Sequence, residues 1–99
     1  MSKTEIKYKN NLARYRRRWR INQRQILQLM GEGERIRLWD IESGRSLPSL
    51  KTALKLSVIL RVPVEFLYQD LYVETCEKIR KREANMPQGR QGVLPLFLP

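Results

Sequence analysis

The chain has 99 residues, 41% of them hydrophobic and 30% charged, enough for one small domain around a single core and too few for a second. Twenty Lys and Arg against ten Asp and Glu leave a net charge of +10, which points to a polyanionic partner, nucleic acid or an acidic membrane surface. With no histidine and one cysteine, Cys76, an internal disulfide and the ordinary zinc-ligand spacings are excluded.

The charge is concentrated at the two ends. Residues 1–24 carry nine Lys or Arg against the single acid Glu5, residues 25–77 six against eight, and residues 78–99 five against Glu83 alone. The first ten residues therefore read as a basic arm. No apolar run approaches the roughly 18 residues of a spanning helix, and Met1-Ser2-Lys3-Thr4 leads into charged residues, not into the apolar stretch of an export signal. A cytoplasmic protein with no membrane partner is expected.

Helical spacing of apolar residues runs from residue 11 to about residue 82, and no stretch alternates as a strand does. The first predicted helix follows Asn11 and places Leu12 and Tyr15 on one face; it ends at Arg20-Ile21. Asn22 is placed to cap a second helix with Ile26, Leu27 and Met30 inward, and Gly31-Glu32-Gly33 stops it. The third helix is expected over about 34–43, with Leu38 and Ile41 on one side, Ile36, Trp39 and Asp40 on the other, and Gly44 just past its end. Pro48-Ser49 opens a fourth. Its predicted stripe is Leu50, Ala53, Leu54, Ser57 and Val58, widened by Leu56 and Leu60, and Arg61-Val62-Pro63 breaks it. The fifth starts near Val64 and keeps an apolar stripe through Leu67, Tyr68, Leu71, Tyr72, Thr75, Cys76 and Ile79. From Asn85 onward, Pro87, Gly89, Gly92, Pro95 and Pro99 mark a flexible apolar tail over 85–99.

Two short helices joined by a glycine-containing turn are the ingredients of a helix-turn-helix. The segments Leu12-Ala-Arg-Tyr-Arg16, Ile21-Asn-Gln23, Ile26-Leu-Gln-Leu-Met30-Gly31, Leu38-Trp-Asp-Ile-Glu42-Ser-Gly44-Arg45 and Pro48-Ser-Leu resemble the Xre/Cro/phage-repressor family of DNA-binding proteins, over about Leu12 to Leu67. The resemblance implies a compact all-α, five-helix lambda-repressor-like domain over 11–68. The fifth helix would extend over 69–84 as a dimerisation element.

It also implies roles. The third helix would lie in the major groove, with Arg35, Ile36 and Asp40 at base-facing positions and Arg37 and Trp39 flanking them. Gln23, at the start of the second helix, and Arg45 match phosphate-contacting positions. Arg16 and Glu42 match an ion pair between the first and third helices. Independently of the resemblance, Arg14, Arg17 and Arg18 avoid the face of Leu12 and Tyr15 and can line a phosphate backbone, as can Arg24. The sequence departs from the family pattern at Leu27, where a small residue is usual, in the turn Gly31-Glu-Gly-Glu34, which is one residue longer, and at the acids Glu32 and Glu34. Leu27 is expected to push the third helix outward.

A homodimer on double-stranded DNA is the expected assembly, through Tyr68, Leu71, Tyr72, Thr75 and Ile79. The tail segment Val93-Leu94-Pro95-Leu96-Phe97 resembles the bacterial sliding-clamp-binding peptide, with Val93 in place of its glutamine; a partner's groove or the protein's own surface would receive it. There is no phosphate-binding loop G-x-x-x-x-G-K-[ST] and no nucleophile with a base beside it, so no enzyme, metal or cofactor is expected. The expected function is a transcriptional regulator, a repressor of a phage, mobile element or bacterial operon. The alternative is an adaptor or antitoxin that holds DNA through its basic surface and a protein through the fifth helix or tail.

Overall fold

The computed structural model describes residues 6–31 and 36–86. These form six helices and no strand: α1 (Leu12–Arg18), α2 (Gln23–Met30), α3 (Leu38–Glu42), α4 (Leu50–Leu60), α5 (Val64–Leu67) and α6 (Gln69–Ala84). No described helix is long and apolar enough to cross a membrane.

Local chemistry sets most of the boundaries. Asn22 accepts a hydrogen bond from the Gln25 backbone N–H at 2.8 Å while Gln25 accepts one from the Asn22 N–H at 2.8 Å, a reciprocal cap that satisfies two otherwise orphaned donors of α2. Ser49 accepts from the Thr52 N–H at 3.2 Å and opens α4. Arg61 closes α4 in the left-handed conformation, φ 59°, ahead of Pro63. Gly44, at φ 86°, turns the chain after α3.

The core is made by Leu12 of α1, Ile26 and Met30 of α2, Leu38 and Ile41 of α3, Leu56 and Leu60 of α4, Leu67 of α5, and Tyr68. Two ties hold its entrance and exit. The Asn11 N–H donates to the Leu67 carbonyl at 2.8 Å and its Nδ2 to the Phe66 carbonyl at 3.0 Å. Ahead of α1, the N–H groups of Lys7 and Tyr8 both donate to the Gly44 carbonyl, and Asn10 Nδ2 reaches the Ile41 carbonyl at 2.9 Å. The described part of the basic arm is thereby pinned to the end of α3.

Three expectations are corrected. The fifth helix is two helices, because Tyr68 leaves helical geometry (φ −121°, ψ 55°) to bury its ring while the carbonyls of Phe66 and Leu67 are turned to Asn11. Within the described residues the third helix begins only at Leu38. Ile36 packs against the core, Arg37 is non-helical (φ −101°, ψ 87°), and the Arg37 carbonyl accepts the first helical bond from Ile41.

The buried stripe of α4 is the third correction. Thr52, Ala53, Leu56 and Leu60 are buried, whereas Leu50, Leu54 and Val58 are 75%, 51% and 75% exposed. The helix has apolar residues on two sides, and the side chosen is the one that meets the core residues of α1, α2 and α5.

Candidate nucleic-acid interface

One carboxylate joins three helices. Arg16 of α1 donates from Nε to Oε2 of Glu42 at 2.6 Å and from Nη2 to Oε1 at 3.2 Å, while its Nη1 reaches the Ile21 carbonyl at 3.2 Å. Gln23, the first residue of α2, donates its Nε2 to the same Glu42 Oε1 at 2.8 Å. A forked guanidinium on a largely buried carboxylate fixes direction as well as distance, so the start of α2 and the end of α3 are held at a set angle. The Gln23 side chain is turned into this network and away from solvent.

α3 presents its other side outward. Trp39 is 56% exposed, and Arg45, brought back over the helix by the Gly44 turn, stands with its guanidinium 5.4 Å from the Trp39 ring centre, the geometry of a cation–π contact. Asp40 lies between two arginines, 3.8 Å from Arg37 and 3.7 Å from Arg45. At those separations the contacts are electrostatic steering of exposed guanidiniums, not hydrogen bonds. Arg37, Trp39, Asp40, Arg45 and Ser46 together line an open polar hollow of about 510 Å³. It is a concave surface with two exposed cations, one carboxylate and an indole face.

The other predicted residues fall in three groups. Arg14, Arg17 and Arg18 are exposed or nearly so on α1, with Arg18 5.9 Å from the Tyr15 ring centre, and Arg24 is exposed on α2. Ile36 is half-buried against the core, so only part of it faces outward. Arg35, the acids Glu32 and Glu34, and the longer turn lie outside the described residues, as does the tail from 87 to 99. Leu27, expected to face inward, is 37% exposed and borders a groove with Arg24, Gln28 and Gly31.

The dimer candidates divide likewise. Leu71, Tyr72 and Thr75 line an open apolar groove of about 340 Å³ with Val64, Glu65 and Tyr68, and Ile79 is exposed farther along α6. Tyr68 is 6% exposed and belongs to the core, which corrects its place on a free surface. Burial pushes its phenol up to about 12, and its hydroxyl has no hydrogen-bond partner among the described residues. The unfolded chain ionises near 10 and the folded one near 12, so stability falls as pH rises through that interval. Tyr68→Phe is expected to leave stability at neutral pH unchanged or raise it by about 1 kcal/mol and to flatten the alkaline loss, read from urea melts between pH 9 and 12.

Sequence reasoning missed two features. Trp19 donates its Nε1 to the Leu60 carbonyl at 2.8 Å and is covered by Arg61, 5.4 Å from its ring centre; nothing in the local pattern links residues 41 positions apart. The exposed row Leu50, Leu54, Val58 was legible only as an excess of apolar residues on α4. No cluster of three metal-ligating side chains occurs among the described residues. Comparison with protein-family models, curated proteins and solved structures finds no match to this chain.

Proposed function

We propose that this protein is a sequence-specific DNA-binding transcriptional regulator of the helix-turn-helix kind, a cytoplasmic repressor of a phage, mobile element or bacterial operon that acts as a homo-oligomer. The observation that carries the reading is the Arg37–Trp39–Asp40–Arg45 hollow on the outer side of α3, together with the exposed Arg14, Arg17 and Arg18 of α1, a helix tied to α3 by Arg16 and Glu42. The two sets suit different tasks. A short helix flanked by exposed arginines and carrying an exposed indole can reach base edges in a major groove, where an arginine on guanine O6 and N7 discriminates by about 1–3 kcal/mol. The α1 arginines suit the phosphate backbone, as do Arg24 and the backbone N–H groups at the start of α2.

Selection from a random duplex library at moderate salt tests the reading. An enriched motif is expected, and salt-sensitive binding without enrichment overturns it. Arg37→Ala is expected to relax the motif at one position, at a cost of about 1–3 kcal/mol. Arg17→Ala is expected to weaken all sequences alike and to make the slope of log K against log salt shallower by about 0.9. Fluorescence anisotropy with the selected and a scrambled duplex at several salt concentrations separates the two outcomes.

The exposed apolar surface of α6 favours a second reading, an adaptor or antitoxin in which the same basic face holds DNA and α6 holds a protein. Truncation before residue 85 leaves operator binding intact for the regulator and abolishes partner binding for an adaptor that holds its partner through the tail.

A further inference from the structure

Two apolar grooves of nearly equal size lie on different helices and share no residue. One, about 330 Å³, runs between α2 and α4 and is lined by Leu29, Met30, Lys51, Leu54, Lys55, Val58 and Ile59. The other, about 340 Å³, is the α5–α6 groove of Val64, Glu65, Tyr68, Leu71, Tyr72 and Thr75. Their charges are opposite. The first carries two lysines, and neither α2 nor α4 contains an acid; the second carries Glu65, and no lysine or arginine occurs between Val62 and Glu77.

Each groove is flanked by apolar side chains that nothing covers among the described residues. Around the first stand Leu29, Leu54 and Val58, all more than half exposed, and beside the second stand Phe66 and Tyr72, each half exposed. The sixteen-residue α6 buries only Glu83, and exposed apolar patches of this kind mark association surfaces.

We propose that the occupant of the α2–α4 groove is the α5–α6 surface of a second copy of this chain, a head-to-tail contact that sets Lys51 against Glu65 and Leu54 and Val58 against Leu71 and Tyr72. A pairing of the α2–α4 groove with itself sets lysine against lysine. A pairing of the α5–α6 groove with itself sets Glu65 against Glu65. Only the mixed pairing matches charge and apolar surface together. The pair then keeps one groove of each kind open, one on each copy, so the assembly grows with concentration instead of stopping at two.

The test uses the full chain without DNA, so its outcome is independent of the DNA-binding reading. Sedimentation velocity is expected to show a weight-average mass that rises with concentration beyond two chains. Leu54→Asp alone and Leu71→Asp alone each stay monomeric, since each loses one half of the contact. Mixed in equal amounts, they form a two-chain species and nothing heavier, because one intact groove of each kind remains.

Charge reversal supplies a second measurement that spares the apolar surface. Lys51→Glu and Glu65→Lys separately lower association at least tenfold, and the doubly reversed chain recovers it. A strictly monomeric wild-type chain overturns the proposal. So does an association that Leu71→Asp abolishes and Leu54→Asp leaves unchanged, the behaviour of a symmetric α6 pair.

Discussion

Arg16→Ala is expected to destabilise the protein by about 3–5 kcal/mol, the usual loss when one partner of a buried ion pair is removed. The Arg16 and Glu42 side chains are 16% and 7% exposed, so the truncation leaves the carboxylate's charge in a largely buried place without its main partner. What remains on Glu42 is the single Gln23 donor at 2.8 Å, too little for a buried charge. Small domains are stable by only about 5–15 kcal/mol, so this one truncation removes a large share. Lysine cannot restore the fork, because its ammonium offers a point charge where two parallel N–H groups are needed. The double variant Arg16→Met, Glu42→Leu removes both charges and is expected to recover more than half of the loss. Urea midpoints read the comparison, and a loss below about 1 kcal/mol for Arg16→Ala refutes the assignment.

Gly44→Ala is expected to cost about 2–5 kcal/mol from two independent sources. The backbone at φ 86° is left-handed, which costs an L-residue about 1–2 kcal/mol. A Cβ there would also stand 2.7 Å from Ile6 Cγ2 and 3.1 Å from the Tyr8 carbonyl oxygen, and overpacking of this kind costs about 1–3 kcal/mol. The second source is separable from the first. Adding Ile6→Ala removes the closest contact but neither the torsional cost nor the Tyr8 oxygen, so the double variant is expected to recover part of the loss and no more. Thermal melts decide it; full recovery means that neither the left-handed turn nor the Tyr8 oxygen contact carries a cost. Because the Gly44 carbonyl accepts from both Lys7 and Tyr8, the same substitution should also loosen the segment ahead of α1.

The elements that were legible in the sequence are those governed by neighbours along the chain. Asn22 with Gln25, Gly44 after Glu42, and Pro63 after α4 act within three or four residues, and each stands where the pattern put it. Positions decided by remote partners were not legible. Tyr68 breaks the final helix because Asn11, more than fifty residues earlier, takes the carbonyls beside it. α4 offers apolar residues on two sides, and periodicity alone cannot say which of them meets Leu12, Ile26 and Leu67. The outward side of α3 was anticipated in its residue types, but the Arg45–Trp39 stack and the position of Asp40 between two arginines depend on the turn that follows the helix.

The two tryptophans sit in different surroundings, and that gives the molecule two optical reporters. Trp19 bridges α1 to α4 through the Leu60 carbonyl, so its emission follows the integrity of the helical assembly. Trp39 stands beneath Arg45 on the outer side of α3, so its emission follows what approaches that surface. Replacing one indole at a time by phenylalanine separates folding from ligand contact within a single fluorescence experiment, without any attached dye.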